Sequence, residues 1–407
     1  MKIQKTFLFL TVFLLACQTK PKAEPETPQA AVVETFTFNQ LPTIGASGIT
    51  LGGFSGLSYA GKNAEGSMTF VTHTDRGPNR DMVVLADGSK VRPFVVPEFN
   101  PRWVRFTLKP DHTIQVDETI PLSVSAKVPC SGRPNLVGED ETPVDGNGAT
   151  VSLDPKGLDL EGMASDQDQS FWMSEEYRPS ILHFNAKGRL LSRWIPKGNS
   201  EKLGRATLPE HFRRRVPNRG FEGVANDGVF VYGFLQGSLK NESGFTRIVQ
   251  LNKKTGLPVA EYAYQFEKTP EGYPSIDKIG DAVAIGRGRF LVIEQNSAVD
   301  AKAFRRVFEV DLSAGNDLLK VNKEERILNS DNFCAPSSAE TCIKPVTKTM
   351  VVDLAAIGLR HLEKAEGITV VDDSTIAIIN DNDFGVGADP NAKSELNLIH
   401  LKSPLRR

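Results

Sequence analysis

The sequence is poor in cysteine, carries little net charge and lacks any apolar run long enough to cross a bilayer. Its four cysteines form no Cys-x-x-Cys pair and no Cys/His spacing of the kind that binds zinc. A formal net charge of −2 leaves no basic excess for nucleic acid. The serine elbow of α/β-hydrolases is also missing around Ser55, because Leu57 stands where the motif requires its second glycine. Zinc sites, nucleic-acid binding and serine-nucleophile chemistry are therefore disfavoured.

The N-terminus has the pattern of an export signal. Lys2 and Lys5 precede the apolar run Thr6–Ala16, which is too short to span a bilayer as a mature helix. The run ends in Leu-Leu-Ala-Cys, which resembles the lipobox of bacterial lipoproteins, a family in which the cysteine is lipidated. The resemblance implies a lipoprotein signal peptide over residues 1–17 and lipidation at Cys17. An ordinary signal peptide with an incidental cysteine is the alternative.

The residues after the signal divide into a tether and a folded body. Residues 18–31 are rich in proline, glutamate and lysine, which predicts a flexible tether, and 32–407 are predicted to form one domain. We expect a cell-envelope protein that faces the periplasm or the outside, where disulfides persist. Cys334 and Cys342 bracket a short loop and are predicted to pair, which leaves Cys130 as the remaining thiol.

Five similar units recur along the chain. Each has a first strand that opens on a small or acidic residue next to glycine, and a second strand that runs into polar residues. The opening residues of the five units are Ser55, Glu161, Glu222, Asp281 and Glu366. The distance from the opening acid to the polar end of the second strand is 13 to 15 residues in the last four units. This regularity indicates a structural repeat.

A further hairpin of alternating strands follows each pair, as at Ile181–Phe184 and Arg189–Ile195. Four antiparallel strands in roughly 40 residues, with little helical pattern between units, are typical of propeller blades. The sequence thus predicts an all-β fold, a β-propeller of five to six four-stranded blades. We expect Glu34–Phe38 to pair beside Leu396–Leu401 and so cover the last sheet edge.

The ordered motifs of these units resemble one known family. The motifs occur in the following order: FSGLSY with DRG, LEGMA with SEE, NRGFEGVA, IGDAVAIGRGRFLVIE, and AEGI with NDNDFG. They are similar to the bacterial phytase-like family, also called esterase-like activity of phytase, from Phe54 to Leu401. The resemblance implies a β-propeller and, through the relation to propeller phytases, calcium and phosphate-ester chemistry.

The inner strands of a propeller converge on one channel, so that equivalent positions form a ring. Carboxylates held close together repel one another unless a cation compensates them, and ligation by oxygen alone suits Ca²⁺. The alternative is that these acids bind backbone amides and join adjacent sheets, with glycine permitting the close approach. The predicted metal ligands are Asp75, Glu161, Glu175, Glu222, Asp281, Glu294, Glu366 and Asp381.

Cationic residues lie near the same strand ends. Arg76, Arg178 and Arg219 are predicted to contact a phosphoryl group, because the guanidinium fork matches phosphate oxygens, and Lys278 precedes Asp281. His73 is a candidate acid or base. The alternatives are that each arginine pairs with its acidic neighbour and that His73 only forms structural hydrogen bonds.

Together these features predict a phytase-like, metal-dependent phosphoric-ester hydrolase. It is expected to be a monomer that acts on a small anionic substrate and meets the membrane only through its lipid anchor. The alternative is a non-catalytic binding or scaffold propeller whose channel carboxylates are structural. At this point the sequence leaves open whether the protein is an enzyme.

Overall fold

A computed structural model describes residues 32–136, 140–276, 278–321, 327–329, 342–387 and 389–405. The predicted signal peptide and tether, Cys17 and Cys334 lie outside the described residues. The described chain is all-β, as predicted, and its helices are single turns of 3-10 type. Among these residues no helix has the length and apolar character needed to cross a bilayer.

The strands bear consecutive numbers along the described chain. They are β1 Val32–Thr37, β2 Phe54–Lys62, β3 Met68–Thr74, β4 Val83–Val84, β5 Lys90–Pro93, β6 Arg102–Leu108, β7 Ile114–Pro121, β8 Ser123–Ser125, β9 Val128–Pro129, β10 Thr142–Val144, β11 Leu160–Ser165, β12 Phe171–Glu175, β13 Ser180–Phe184, β14 Leu190–Pro196, β15 Arg205–Leu208, β16 Phe221–Asn226, β17 Phe230–Leu235, β18 Phe245–Asn252, β19 Pro258–Gln265, β20 Lys278–Gly286, β21 Arg289–Gln295, β22 Arg305–Asp311, β23 Thr347–Asp353, β24 Ala365–Asp372, β25 Thr375–Asn380 and β26 Glu395–His400. The 3-10 turns are Glu201–Leu203, Glu210–Arg214, Leu312–Ala314, Leu318–Lys320, Leu359–His361 and Asp383–Gly385.

Five sheets of the described chain share one plan, which is the predicted pair of consecutive hairpins. Their strand orders are β2-β3-β6-β7, β11-β12-β13-β14-β15, β16-β17-β18-β19, β20-β21-β22-β23 and β24-β25-β26-β1. The strands alternate in direction, except that β15 joins the outer edge of its sheet in parallel. Two small sheets, β4-β5-β10 and β8-β9, come from insertions that the repeat pattern did not predict.

The first strands of the five sheets contact one another in cyclic order, β2 to β11 to β16 to β20 to β24 and back to β2. Glycines allow this contact to be close. A Cβ at Gly162 would lie 2.6 Å from the backbone nitrogen of Val224, and one at Gly280 would lie 2.4 Å from the carbonyl oxygen of Ala365. The sheets are therefore arranged radially, like the blades of a propeller, and residues at the same position of each inner strand come together.

The chain ends meet in one sheet, as predicted. Strand β1 pairs antiparallel with β26 over Val32↔His400 to Thr37↔Glu395. It starts two residues and ends one residue before the expected segment Glu34–Phe38. Thr35 Oγ1 also donates a hydrogen bond to Asn397 Oδ1 at 2.7 Å. The edge of the last sheet is thereby covered by the start of the folded chain.

Apolar side chains from facing sheets fill the spaces between neighbours. Tyr232 and Phe234 of β17 pack edge-on against Phe290 of β21, with ring centroids 4.7 and 5.3 Å apart. These three side chains are at most 1 % exposed, and burying each contributes roughly 1.5–3 kcal/mol. Because side chains alternate between the two sides of a strand, one side of each sheet packs against the next sheet.

Buried ion pairs lie farther out in the sheets. In the third sheet Arg247 contacts Glu242 and Glu261, each at 2.5 Å, and all three side chains are at most 1 % exposed. The Arg247 guanidinium has carboxylate partners on both sides, so its charge is compensated. Removing one member would leave an uncompensated buried charge, which is strongly destabilising.

The cysteines have separate roles. Cys342 is disulfide-bonded, while its predicted partner Cys334 lies outside the described residues. Cys130 is free and buried, and burial raises the pKa of its thiol to about 12. Because the thiolate is the reactive form, Cys130 has the character of a structural thiol.

Candidate active site

A polar cavity of about 280 Å³ opens where the inner strands begin. Its lining contains seven carboxylates, four cations and a single apolar residue, Pro217. The lining residues are Asp75, Arg76, Asp159, Glu161, Glu176, Pro217, Asn218, Arg219, Glu222, Gln236, Lys278, Lys364, Glu366 and Asp381. Acids that are far apart in the sequence therefore meet at one place.

Register shifts on the inner strands create the first layer of this cavity. All five inner strands show a shift against their neighbour close to their start. Glu161, Glu222 and Glu366 stand at these shifts in β11, β16 and β24. A bulge re-aims the side chain that it carries, and here three glutamates line the cavity.

A second layer comes from the residues two positions before the bulged residues. Three cavity residues belong to this layer: Asp159, Lys278 and Lys364. They stand two positions before Glu161, Gly280 and Glu366, respectively. Because strand side chains alternate, residues two apart point to the same side. Glycine stands at the matching place before Glu222, where a Cβ on Gly220 would lie 2.1 Å from the carbonyl oxygen of Glu176.

The third layer follows the ends of the second strands. Leu160 pairs with Glu175, Phe221 with Leu235, and Ala365 with Asn380. In each of these three sheets, the residue that follows the paired residue of the second strand lines the cavity. Asp75 occupies the equivalent place in the first sheet. The members of this layer are Asp75, Glu176, Gln236 and Asp381.

Three of these acids form a compact group. One carboxylate oxygen from each of Asp159, Glu161 and Glu176 lies within 4.8 Å of the others, and all three residues are buried. Burial raises the pKa of Glu161 well above its usual value, and Glu222 and Asp159 raise it further. Burial also raises the pKa of Glu176 well above its usual value, and the charge of Asp159 raises it further. A buried acidic triad of this kind could bind a metal ion, which would remove the mutual repulsion.

Most cations at the cavity are already paired. Arg76 Nη1 donates to Asp159 at 2.8 Å, to Glu141 at 2.9 Å and to Asn218 at 2.7 Å. Lys364 Nζ lies 2.7 Å from Asp381 Oδ2 and 2.5 Å from Asp383 Oδ1. These pairs fix the side chains at the rim but leave the acids in excess.

On the third sheet the cavity is lined by a chain of hydrogen bonds. Arg219 Nη1 donates to Gln236 Oε1 at 2.9 Å, and Gln236 Nε2 donates to Glu222 Oε2 at 2.6 Å. The glutamine carries no charge, so it holds Glu222 in place without neutralising it. Burial raises the pKa of Glu222 well above its usual value, and the charges of Glu176 and Glu366 raise it further.

Two predicted ligands lie in the sheets and outside the cavity. Glu175 accepts from the guanidinium of Arg193 at 2.9 Å and from Ser180 Oγ at 2.8 Å. Glu294 accepts from Tyr264 Oη and from Lys348 Nζ, both at 2.6 Å. Both acids have full sets of partners and hold strands together, which is the structural alternative stated for them.

Asp281 joins neighbouring sheets. Ile279 pairs with Glu294 as Leu160 pairs with Glu175, so that Gly280, one residue earlier, occupies the place of Glu161. Asp281 Oδ2 accepts the backbone N–H of Ile368 from the next sheet at 3.2 Å. The equivalence assigned from spacing was therefore offset by one residue, and the structure places Asp281 outside the cavity.

Arg178 also lies away from the cavity. Its backbone N–H donates to Glu175 Oε2 at 3.0 Å, and its guanidinium donates to the carbonyl oxygen of Pro155 at 3.1 Å. Burial and, to a smaller extent, the positive charge of the nearby Arg193 lower the pKa of Arg178 to about 10. Of the predicted phosphate-binding arginines, the cavity brings together Arg76 and Arg219.

His73, on the second strand of the first sheet, is fully buried and connects β3 to the inner strand β11. Its Nδ1 lies 3.0 Å from the carbonyl oxygen of Thr74, and its Nε2 lies 2.7 Å from that of Glu161. Burial lowers its pKa from 6.5 to about 4. The imidazole is therefore neutral at physiological pH and lies behind the backbone of Glu161, outside the cavity lining.

Replacing His73 with glutamine is expected to change how stability depends on pH. The depressed pKa means that the contribution of His73 is present above pH 6.5 and is lost as the pH falls from 6.5 through about 4, a loss of roughly 3 kcal/mol. Urea unfolding of both proteins from pH 7 to pH 4 measures this, and the variant should lack that part of the decline. Parallel curves would contradict the prediction.

Sequence analysis missed Asp159, Glu176 and Lys364 as members of the site, and it left Lys278 unassigned. Asp159 and Lys364 have a sequence signal, since each stands two residues before a predicted ligand and directly before the strand that carries it. Glu176 was visible only as the second half of an acidic pair. Knowing which half faces the cavity requires the strand register.

Comparison with known proteins places this architecture in a family. Residues 49–384 match the family model described as phytase-like, esterase-like activity of phytase. The protein belongs to this family. The phytase-like match includes all five inner strands and every residue that lines the cavity, so the site lies within the part that defines the family.

One curated relative and many solved structures are similar to this phytase-like chain. An uncharacterized secreted protein of Arthroderma benhamiae (strain ATCC MYA-4681 / CBS 112371) is 33% identical over 107 residues, which is 21% of each protein. The match therefore spans about a fifth of that relative's length. The β-1,2-mannobiose phosphorylase of Listeria innocua has 9% identity and a TM-score of 0.44, and 91% of this chain and 96% of the other are covered. The aldose sugar dehydrogenase of Streptomyces coelicolor has 10% identity and a TM-score of 0.33, with 92% and 100% covered.

Proposed function

We propose that this phytase-like protein is a metal-dependent phosphoric-ester hydrolase and that the cavity is its active site. The observation that supports this most is the meeting of a compact carboxylate triad with arginine and lysine side chains in one polar cavity. Metal ligands and phosphate-binding groups are the two components that phosphoryl transfer requires.

Asp159, Glu161 and Glu176 would hold the metal. The donor set is all oxygen and buried, and within the described residues Glu161 makes no side-chain hydrogen bond, which fits a hard cation such as Ca²⁺. When bound, the ion would supply positive charge to the phosphoryl oxygens and lower the pKa of a bound water. Glu366 and Asp381, across the cavity, keep the surroundings polar.

Arg219 and Arg76 would orient the phosphoryl group. Arg219 is steered by Gln236, and Arg76 by Asp159 and Asn218. Because these partners fix the guanidinium planes in advance, charge that develops on the phosphoryl oxygens would meet donors already in place. His73 would act as a positioning residue that holds the backbone of Glu161.

The architecture supports a compact, independent catalyst. We infer that the five radial sheets are the blades of one five-bladed propeller, closed by the pairing of β1 with β26. We also infer that the protein works as a monomer, since the cavity is built by one chain. The lining offers no basic surface for nucleic acid.

We further propose that the protein is exported and lipid-anchored through Cys17. The sequence pattern at residues 1–17 and the secreted description of the fungal relative support export. Replacing Cys17 with alanine in the expressing bacterium should move the protein from the membrane fraction to the soluble fraction. Immunoblots of the two fractions measure this, and a variant that stays with the membrane would rule out this anchor.

Calcium-dependent stability and phosphate release test the function together. Adding Ca²⁺ to protein treated with a chelator should raise Tm, because a ligand at 100 times its Kd stabilises by about 2.7 kcal/mol. Phosphate release from a panel of esters should require the ion. Glu161→Gln should lose both effects, and Glu118→Gln, on an exposed strand position, should keep both.

The scaffold alternative has its own support, because Glu175, Asp281 and Glu294 hold strands or sheets together. It would be favoured if Ca²⁺ changed neither Tm nor phosphate release and Glu161→Gln only altered folding. Retained folding with lost turnover in Glu161→Gln favours the hydrolase.

A further inference from the structure

Lys278 differs from the other cations of the cavity in having no hydrogen-bond or ion-pair partner among the described residues. Arg76 and Lys364 are ion-paired with carboxylates, and Arg219 donates to Gln236. Lys278 is 7% exposed and lines the cavity. No hydrogen bond or ion pair joins its side chain to the described residues.

An unpaired ammonium group at this depth is unusual. Lysine is rarely buried without a partner, because removing its charge from water is costly. Glu222 and Glu366 are close enough for Lys278 to lower their pKa values, yet neither makes a direct contact with it. The side chain is thus held inside an acidic cavity with its donors available, which is the arrangement expected of a contact for an anion that arrives from outside.

The cavity limits how much anion can enter. Its volume of about 280 Å³ lies just below the usual range of small-molecule sites. The seven carboxylates outnumber the four cations, so each further negative charge on a ligand makes its entry less favourable. Inositol hexakisphosphate carries six phosphates, so it brings far more negative charge to this lining than an ester with one phosphate.

We propose that Lys278 binds the phosphoryl group of a substrate with one phosphate, so that the site takes phosphomonoesters of small polar alcohols in preference to inositol hexakisphosphate. This inference rests on the proposed function. The nearly complete absence of apolar lining, with Pro217 as the exception, is consistent with a polar alcohol group. Lys278 would contact the same phosphate as an ion held by the acidic triad.

Two measurements test the inference. With Ca²⁺ present, kcat/KM for glycerol phosphate should exceed that for inositol hexakisphosphate at least about tenfold. Lys278→Met should lower kcat/KM for glycerol phosphate by about 100-fold, the loss typical of removing one donor to a developing oxyanion, and Lys278→Arg should restore part of it. Lys254→Met, at an exposed turn, is the matched control and should behave as the unmodified protein.

A binding experiment without turnover separates the outcomes. Calorimetry with inorganic phosphate and Ca²⁺ should show binding that Lys278→Met weakens, while the Ca²⁺-dependent rise in Tm remains. If no ester is hydrolysed and Ca²⁺ has no effect, the proposed function fails. If esters are hydrolysed but hexakisphosphate is preferred, or Lys278→Met leaves phosphate binding unchanged, the inference about Lys278 and its substrate is overturned while the hydrolase stands.

Discussion

Replacing Glu175 with glutamine should lower the free energy of unfolding by about 3 kcal/mol, whereas the same replacement at the adjacent Glu176 should raise it in cation-free protein. Glu175 is the ion-pair partner of Arg193, whose side chain is 4% exposed, so the variant leaves a buried guanidinium without its counter-charge. Glu176 faces other carboxylates, and burial and Asp159 raise its pKa. Removing its charge relieves that repulsion.

Urea unfolding of the two variants, with chelator and then with Ca²⁺, measures the difference. Glu175→Gln should keep the Ca²⁺-dependent gain in stability, since the triad is intact. Glu176→Gln should lose it. If both variants lose stability in chelator to the same extent, the assignment of one neighbour to the sheet and the other to the cavity is wrong.

Replacing Arg247 with methionine should lower the free energy of unfolding by about 3–5 kcal/mol, the usual effect of removing one member of a buried ion pair. Glu242 and Glu261 would both lose their guanidinium partner, although His211 Nε2 remains 2.9 Å from Glu261. Methionine fills similar space, so the loss reports mainly the uncompensated charges. Thermal or urea unfolding at neutral pH measures it.

The double variant Arg247→Met with Glu261→Gln is the control for this reading. It should recover part of the lost stability, because one of the stranded carboxylates is gone. Arg213→Met, at an exposed position of a 3-10 turn, should change stability by less than about 0.5 kcal/mol. A double variant as unstable as the sum of the singles would show that the charges are not coupled.

The sheets could be predicted because their signal repeats. Each inner strand starts with a small or acidic residue and glycine, and each sheet is completed by consecutive hairpins whose alternation is local. The predicted strand Ile181–Phe184 differs from β13 only by one residue at its start. The small sheets β4-β5-β10 and β8-β9 were not predicted, since strands of two to four residues leave too few alternations to detect.

The site was predicted less completely, because the pairing register of the strands decides which residues line the cavity. A shift of one residue moves a strand side chain to the opposite side of the sheet. Spacing placed Glu175 and Asp281 in the ring, but strand pairing gives those places to Glu176 and Gly280. The bulges that cause this offset depend on contacts between strands, and no single sequence displays them. Glu161, Glu222 and Glu366 were found because each stands directly beside the repeated glycine.

The pairing of β1 with β26 has a consequence for the order of folding. Thr35 and Asn397 are 362 positions apart in sequence, so β1 must wait for nearly the whole polypeptide to be made before it finds its partner. Contacts this distant form late and slowly. During synthesis the protein thus exposes an unpaired edge, and a chaperone that covers strand edges would protect it until the final segment emerges.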